Sequence, residues 1–158
     1  MPQSASRDSK TTKRDPTRFQ VLKLLIPIID RHGAQEAARH GAFLFAERCV
    51  SEVEIVEVLD DFGYDRSVAF HSISALRRLE KQAMHDALFQ TRAILDDAGV
   101  PYTWKRVFGP PERVIASSAE RSGADIVVLD ASGLGFLRKW SVLARLRRLT
   151  HTPVTLVQ

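Results

Sequence analysis

Two apolar runs constrain this chain more than any other feature. Residues 21–29 read VLKLLIPII and residues 125–129 read DIVVL. Neither alternates strictly between polar and apolar, so neither suits a strand with one face in water. Strands of this kind are buried on both faces, the condition of a parallel sheet covered by helices above and below. The segments between the runs must then supply those helices.

They do so in alternation. Asp30, Arg31, His32 and Gly33 form a first loop. Residues 34–49 are rich in alanine, with Ala38, Ala42 and Phe45 at helical spacing. Gly41 costs this helix some propensity and marks close packing on the sheet. Residues 53–59 are β-branched enough to form a second strand, and residues 60–65 a loop punctuated by Gly63. Residues 73–98 are the longest helical pattern, with Leu76, Leu79, Ala83, Ala87, Ile94 and Ala98 as its apolar stripe. Gly99 stops this helix, and Pro101 prevents its continuation. Residues 102–108 form a third strand, ended by Gly109, Pro110 and Pro111. A proline suits the first turn of a helix, where its missing N–H would be unpaired anyway. Residues 112–121 are then a helix with Val114, Ile115 and Ala119 inward. Residues 125–129 form the fourth strand and residues 131–135 a loop. Residues 141–149 form a basic amphipathic helix with Val142, Leu146 and Leu149 inward, and residues 153–157 a last strand. The order β-α-β-α-β-α-β-α-β predicts an α/β fold of parallel strands, joined by right-handed crossovers, with helices on both faces.

The 158 residues suit one domain, residues 19–158, behind a tail, residues 1–18. Much of the net charge of +4 lies on the tail: five basic and two acidic side chains there, against 18 and 17 in the remainder. A tail of Ser, Thr, Lys, Arg and Asp buries no apolar surface, so it is expected to be disordered. It reads as a solvated leader, or as a contact for anionic partners. No apolar run approaches the roughly 18 residues that cross a bilayer. The first residues also lack the apolar core of a secretory signal, and a cytoplasmic protein is expected. The single cysteine, Cys49, excludes an internal disulfide and reads as a small core residue. His32, His40, His71, His85 and His151 show no metal-ligand spacing. Asp60 and Asp61 read as a solvated turn. Ser117 and Ser118 lack a nucleophile-elbow pattern, and no catalytic base is identifiable. Trp104 and Trp140 read as packing anchors.

Three stretches, taken together, resemble the universal stress protein family. They are LLIPIID leading into the Ala-rich helix; Gly99-Val100-Pro101, a strand, Gly109-Pro110-Pro111 and a helix running to Ala124-Asp125-Ile126-Val127-Val128; and Ser141-Val142 leading to Thr152-Pro153-Val154. The resemblance spans residues 19–158 and implies a five-stranded parallel sheet of order 3-2-1-4-5. It also implies an ATP site after the fourth strand, built on G-x-x-G, nine residues, then G-[Ser/Thr]. Glycines let backbone approach phosphate, and N–H groups at a helix start hold the anion. Such sites lie at the carboxyl ends of the strands.

Here the pattern is partly overwritten. Asp130 holds the first glycine position, Gly133 keeps the second, Trp140 holds the third and Ser141 follows it. The intervening segment, residues 134–139, has six residues instead of nine. Asp30 stands one place later than the family's aspartate after the first strand, and Val58 matches a position near adenine. The implied nucleotide residues are therefore Asp30, Val58, Gly133, Gly135, Ser141 and Val142. The bland readings are a tight turn for Gly133 and Gly135, core for Val58, and capping of the loop or the next helix for Asp130. A carboxylate at Asp130 repels a triphosphate, whereas Arg138, Lys139, Arg145, Arg147 and Arg148 offer side-chain cations. Those arginines also suit a solvated helix face near a C-terminus.

The expected function is a non-enzymatic stress-response or regulatory module with impaired or altered nucleotide binding. ATP is the cofactor the resemblance offers, and no metal is expected. The rivals are an ATP-binding switch or weak ATPase, and a binder of nucleic acid or anionic surfaces through the tail and last helix. The tail carries no aromatic residue for base stacking, which disfavours nucleic acid. The resemblance further implies a homodimer through the edge strand residues Val154, Thr155, Leu156 and Val157.

Overall fold

The computed structural model describes residues 21–59, 73–132 and 136–158. The predicted tail, Asp60, Asp61, Gly133 and Gly135 lie outside the described residues, as do the side chains of Leu76, Arg138 and Lys139. Strands and helices alternate: β1 (Leu22–Ile28), α1 (Gln35–Ala46), β2 (Val50–Leu59), α2 (Ile73–Asp97), β3 (Tyr102–Phe108), α3 (Pro111–Ser122), β4 (Ile126–Asp130), α4 (Phe136–Leu149) and β5 (Val154–Val157). The five strands form one parallel sheet of order β3-β2-β1-β4-β5, with helices on both faces.

The central place of β1 explains its apolar run. Leu24, Leu25, Ile26 and Ile28 are all fully buried. Leu24, Ile26 and Ile28 pack with Ala37, Ala38 and Leu88 in the core that α1 and α2 cover. Leu25 faces the opposite core, with Val56, Ile115, Leu129 and Leu146 beneath α3 and α4. Each such side chain contributes about 1.5–3 kcal/mol when withdrawn from water. Gly41 marks a close approach, as expected: a Cβ there would lie 3.5 Å from Leu24 Cδ1 and 3.6 Å from Ile26 Cδ1. The end of α2 is also as expected, with the Val100 N–H donating back to the Leu95 carbonyl at 2.9 Å beside Gly99.

The buried stripe of α2 keeps Ala87 of the expected one, with Ile94 half-buried against the core, and otherwise differs from it. Met84, Ala87, Leu88, Thr91 and Leu95 are buried, whereas Leu79 is 68% exposed and Ala98 is exposed. At 100° per residue the stripe is turned roughly 80° round the helix. Burying Met84, Leu88 and Leu95 removes more apolar surface than burying alanines. Cys49 is exposed and is not a core residue. Helix α1 stops at Ala46, Arg48 takes a left-handed φ of 59°, and Cys49 follows in the turn. Strand β2 starts at Val50 rather than at residue 53, because Val50 is buried and pairs with Leu22. Helix α4 starts at Phe136 rather than at residue 141, since neither glycine nor proline interrupts residues 136–149. Trp104 and Trp140 are not buried anchors: they are 44% and 56% exposed. The Arg92 guanidinium lies 5.7 Å from the ring centroids of both Tyr102 and Trp104.

Charge also lies inside the sheet. Glu57 on β2 is fully buried and accepts from Arg106 Nε at 2.7 Å and Nη2 at 3.3 Å. Glu54 is nearly buried and pairs with Lys105 at 2.5 Å. Among the described residues, no helix is long and apolar enough to cross a membrane.

Candidate functional site

Strand order reverses between β1 and β4. The chain leaves β1 towards α1 on one face and leaves β4 towards α4 on the other. Two loops that part in this way open a crevice at the carboxyl ends of the strands, where α/β folds hold ligands. A cavity of about 370 Å³ lies there, lined by His32, Gln35, Glu36 and Ser132.

The loop after β1 builds one wall. Asp30 Oδ1 accepts the His32 N–H at 2.8 Å, and the Asp30 carbonyl accepts the Gly33 N–H at 3.2 Å. This is the local turn that an aspartate forms with backbone two residues on. Gly33 has φ 79°, and a Cβ there would lie 3.3 Å from the Ala87 carbonyl oxygen. Glycine therefore lets the loop rest on α2. The Ala34 N–H donates to Thr91 Oγ1 at 3.2 Å, while that hydroxyl donates to the Ala87 carbonyl at 2.8 Å.

The start of α1 needs partners that its own residues do not provide. Ala34 stands at the N-cap and makes no side-chain cap bond, although the first N–H groups of a helix have no intrahelical acceptor. Asp130 supplies it from the end of β4. Its Oδ2 accepts from the Glu36 N–H at 2.8 Å and the Ala37 N–H at 3.4 Å. Its Oδ1 accepts from the Ser132 N–H at 3.0 Å and Ser132 Oγ at 2.5 Å. Asp130 is only 7% exposed. A carboxylate at a helix N-terminus is stabilised by the dipole by about 0.3–1 kcal/mol, and by up to ~2 kcal/mol when partly buried.

The crevice is thus rich in carboxylates. Asp30 and Asp130 are engaged with backbone, and Glu36 pairs with Arg39. Gln35 Nε2 donates to Gln90 Oε1 at 2.6 Å on the rim. Among the described residues, no group of three His, Cys, Asp or Glu side chains stands together to hold a metal.

Of the expected nucleotide residues that are described, none is among those lining the cavity. Asp30 touches the lining through the His32 N–H. Val58 and Val142 are buried together in the core under α3 and α4. Ser141 is exposed inside α4, well past its start at Phe136. Gly133 and Gly135 lie outside the described residues. Asp130 caps the loop, as one reading allowed, but the helix it caps is α1 and not the next one. Thr91 was not singled out by sequence. The signal for Asp130 was present as an alanine at the N-cap of α1, which leaves donors in need of a distant acceptor.

Comparison with known proteins adds a lineage to this geometry. A model of the universal stress protein family matches residues 21–158. Universal stress protein MJ0531 of Methanocaldococcus jannaschii is 27% identical over 139 residues, covering 86% of this chain and 81% of its own length. The universal stress protein UspA from Lactobacillus plantarum superposes with a TM-score of 0.65 at 18% identity, covering 87% of this chain and 98% of that one. A universal stress protein from Archaeoglobus fulgidus, solved in complex with dAMP, has a TM-score of 0.58 at 16% identity, covering 87% of this chain and 98% of that one.

Proposed function

Because this chain belongs to the universal stress protein family, we propose that it is a non-enzymatic regulatory module whose crevice between β1 and β4 holds an adenine-containing ligand, with an altered phosphate end. The observation that carries this reading is the cavity of about 370 Å³ at the reversal of strand order. Doubly wound sheets bind nucleotides at that place. The Archaeoglobus fulgidus protein, solved with dAMP, shares the fold. The phosphate end is altered because Asp130 stands where the family pattern has its first glycine.

The polar groups of the crevice support binding more than chemistry. The Ser132 hydroxyl donates to Asp130, and Glu36 is held by Arg39. A nucleophile needs a neighbouring base to take its proton; the carboxylate beside the Ser132 hydroxyl, Asp130, is committed to three backbone N–H groups, and Glu36 is committed to Arg39. Signalling would then pass through assembly. Strand β5 pairs with β4 on one side, and an open edge suits a second copy of the chain. We place the homodimer contact at Val154, Thr155, Leu156 and Val157.

The test is to release small molecules from the purified full chain, identify them by mass spectrometry, and titrate adenosine and AMP by calorimetry. An adenine-containing molecule or saturable heat is expected. An empty protein with no heat for either compound refutes the reading.

A further inference from the structure

We infer that Asp130 makes this crevice select a neutral, hydroxyl-bearing ligand end, such as a nucleoside sugar, over a phosphate. The inference rests on the proposal that the crevice holds an adenine-containing ligand. It adds the chemical class of the part that enters the cavity.

The argument begins with the donors that a phosphate would need. Phosphate is held by backbone N–H groups at turns and helix starts. Among the described residues at the cavity and the start of α1, four such groups already donate to a carboxylate: that of His32 to Asp30, and those of Glu36, Ala37 and Ser132 to Asp130. The Ser132 hydroxyl is spent on Asp130 as well. The protein's own carboxylate thus fills the place of a bound anion.

Displacing it is unfavourable on two counts. Asp130 is 7% exposed, and a carboxylate torn from its donors without full solvation carries a large desolvation cost. Leaving it in place sets a second anion beside it, where like charges repel strongly. A sugar hydroxyl meets neither obstacle, because it can donate a proton to a carboxylate. An ionised carboxylate offers about four acceptor positions. Asp30 commits Oδ1 to the N–H of the lining residue His32, which leaves acceptor capacity on a carboxylate next to the lining, and Gln35 adds an amide on the lining itself.

The experiment is calorimetry on the full chain with adenosine, with AMP, and with ATP plus magnesium. The unmodified protein is expected to bind adenosine about tenfold or more tighter than AMP, a difference of about 1.4 kcal/mol. Asp130→Asn keeps the shape and an acceptor oxygen but removes the charge. It is expected to tighten AMP by about tenfold while adenosine changes by about twofold or less. Asp130→Gly serves the same purpose if the asparagine variant fails to fold, which circular dichroism reports. The comparison within the unmodified chain needs no variant. Equal or tighter binding of AMP, or of ATP with magnesium, relative to adenosine overturns the inference and leaves the crevice reading standing. Binding of none of the three overturns both.

Discussion

Truncating Arg106 to alanine is expected to cost about 3 kcal/mol of folding stability. Glu57, its partner, is fully buried, and Arg106 Nε and Nη2 donate to its two oxygens at 2.7 and 3.3 Å. Charge-assisted bonds contribute about 1.5–3 kcal/mol each. Removing one member of a buried pair costs about 3–5 kcal/mol, because the other charge is stranded. The lower end applies here, since the Arg106 side chain is itself 36% exposed and water can follow the truncation towards Glu57. For a chain of this size the loss amounts to roughly 6–12 °C in Tm. Urea denaturation of Arg106→Ala, Glu57→Gln and the double variant measures it as a cycle. The double variant should recover at least half of the loss, because no charge is then stranded. A cost below about 1 kcal/mol for Arg106→Ala, or simple additivity in the cycle, would refute the reasoning.

Three further expectations use other parts of the frame. Thr91→Val removes the acceptor for the Ala34 N–H and should cost about 1–2 kcal/mol; Thr91→Ser, which keeps the hydroxyl, should recover most of it in thermal melts. Arg48 holds φ 59°, so Arg48→Gly should raise the urea midpoint, a gain of about 1 kcal/mol; an unchanged midpoint would speak against strain at that turn. The Val127 and Ala131 N–H groups donate to the Pro153 and Val157 carbonyls, so parallel alternation turns the Val154 and Leu156 N–H groups to the open edge. Leu156→Pro should therefore give monomers while sparing the β4 ladder, and an unchanged mass on light scattering would count against a β5 dimer.

Much of the fold was legible because its signals are local or twofold. A strand such as β1, covered on both faces, must be apolar through its buried stretch, and residues 24–28 show that directly. Gly99 announces the end of α2 because the left-handed stop is a backbone property. The strand order came from the family resemblance, since alternation alone does not say on which side of β1 the fourth strand enters. What could not be read depends on contacts between distant residues. The stripe of α2 was misjudged because alanines match a helical period as well as leucines do, and only packing decides between them. Cys49 looked like core because its neighbours are helical; one left-handed residue, Arg48, moves it to the surface.

Asp130 is the instructive case, since two needs meet in one side chain. Helix α1 begins with Ala34 and Gln35, neither of which caps it. A carboxylate 94 residues away accepts the Glu36 N–H instead. A glycine at position 130 would leave that donor to water or to a bound anion, so fold stability would be linked to ligand binding. With aspartate there, the helix start is satisfied in the absence of any ligand. The two roles are separable. Thr91→Val loosens the entry to α1 without changing charge, so it should lower stability and leave the adenosine-to-AMP preference intact. Asp130→Asn should move both. A Thr91→Val protein that shifts ligand preference as far as Asp130→Asn would mean that the position of α1, and not the charge of Asp130, sets the selectivity.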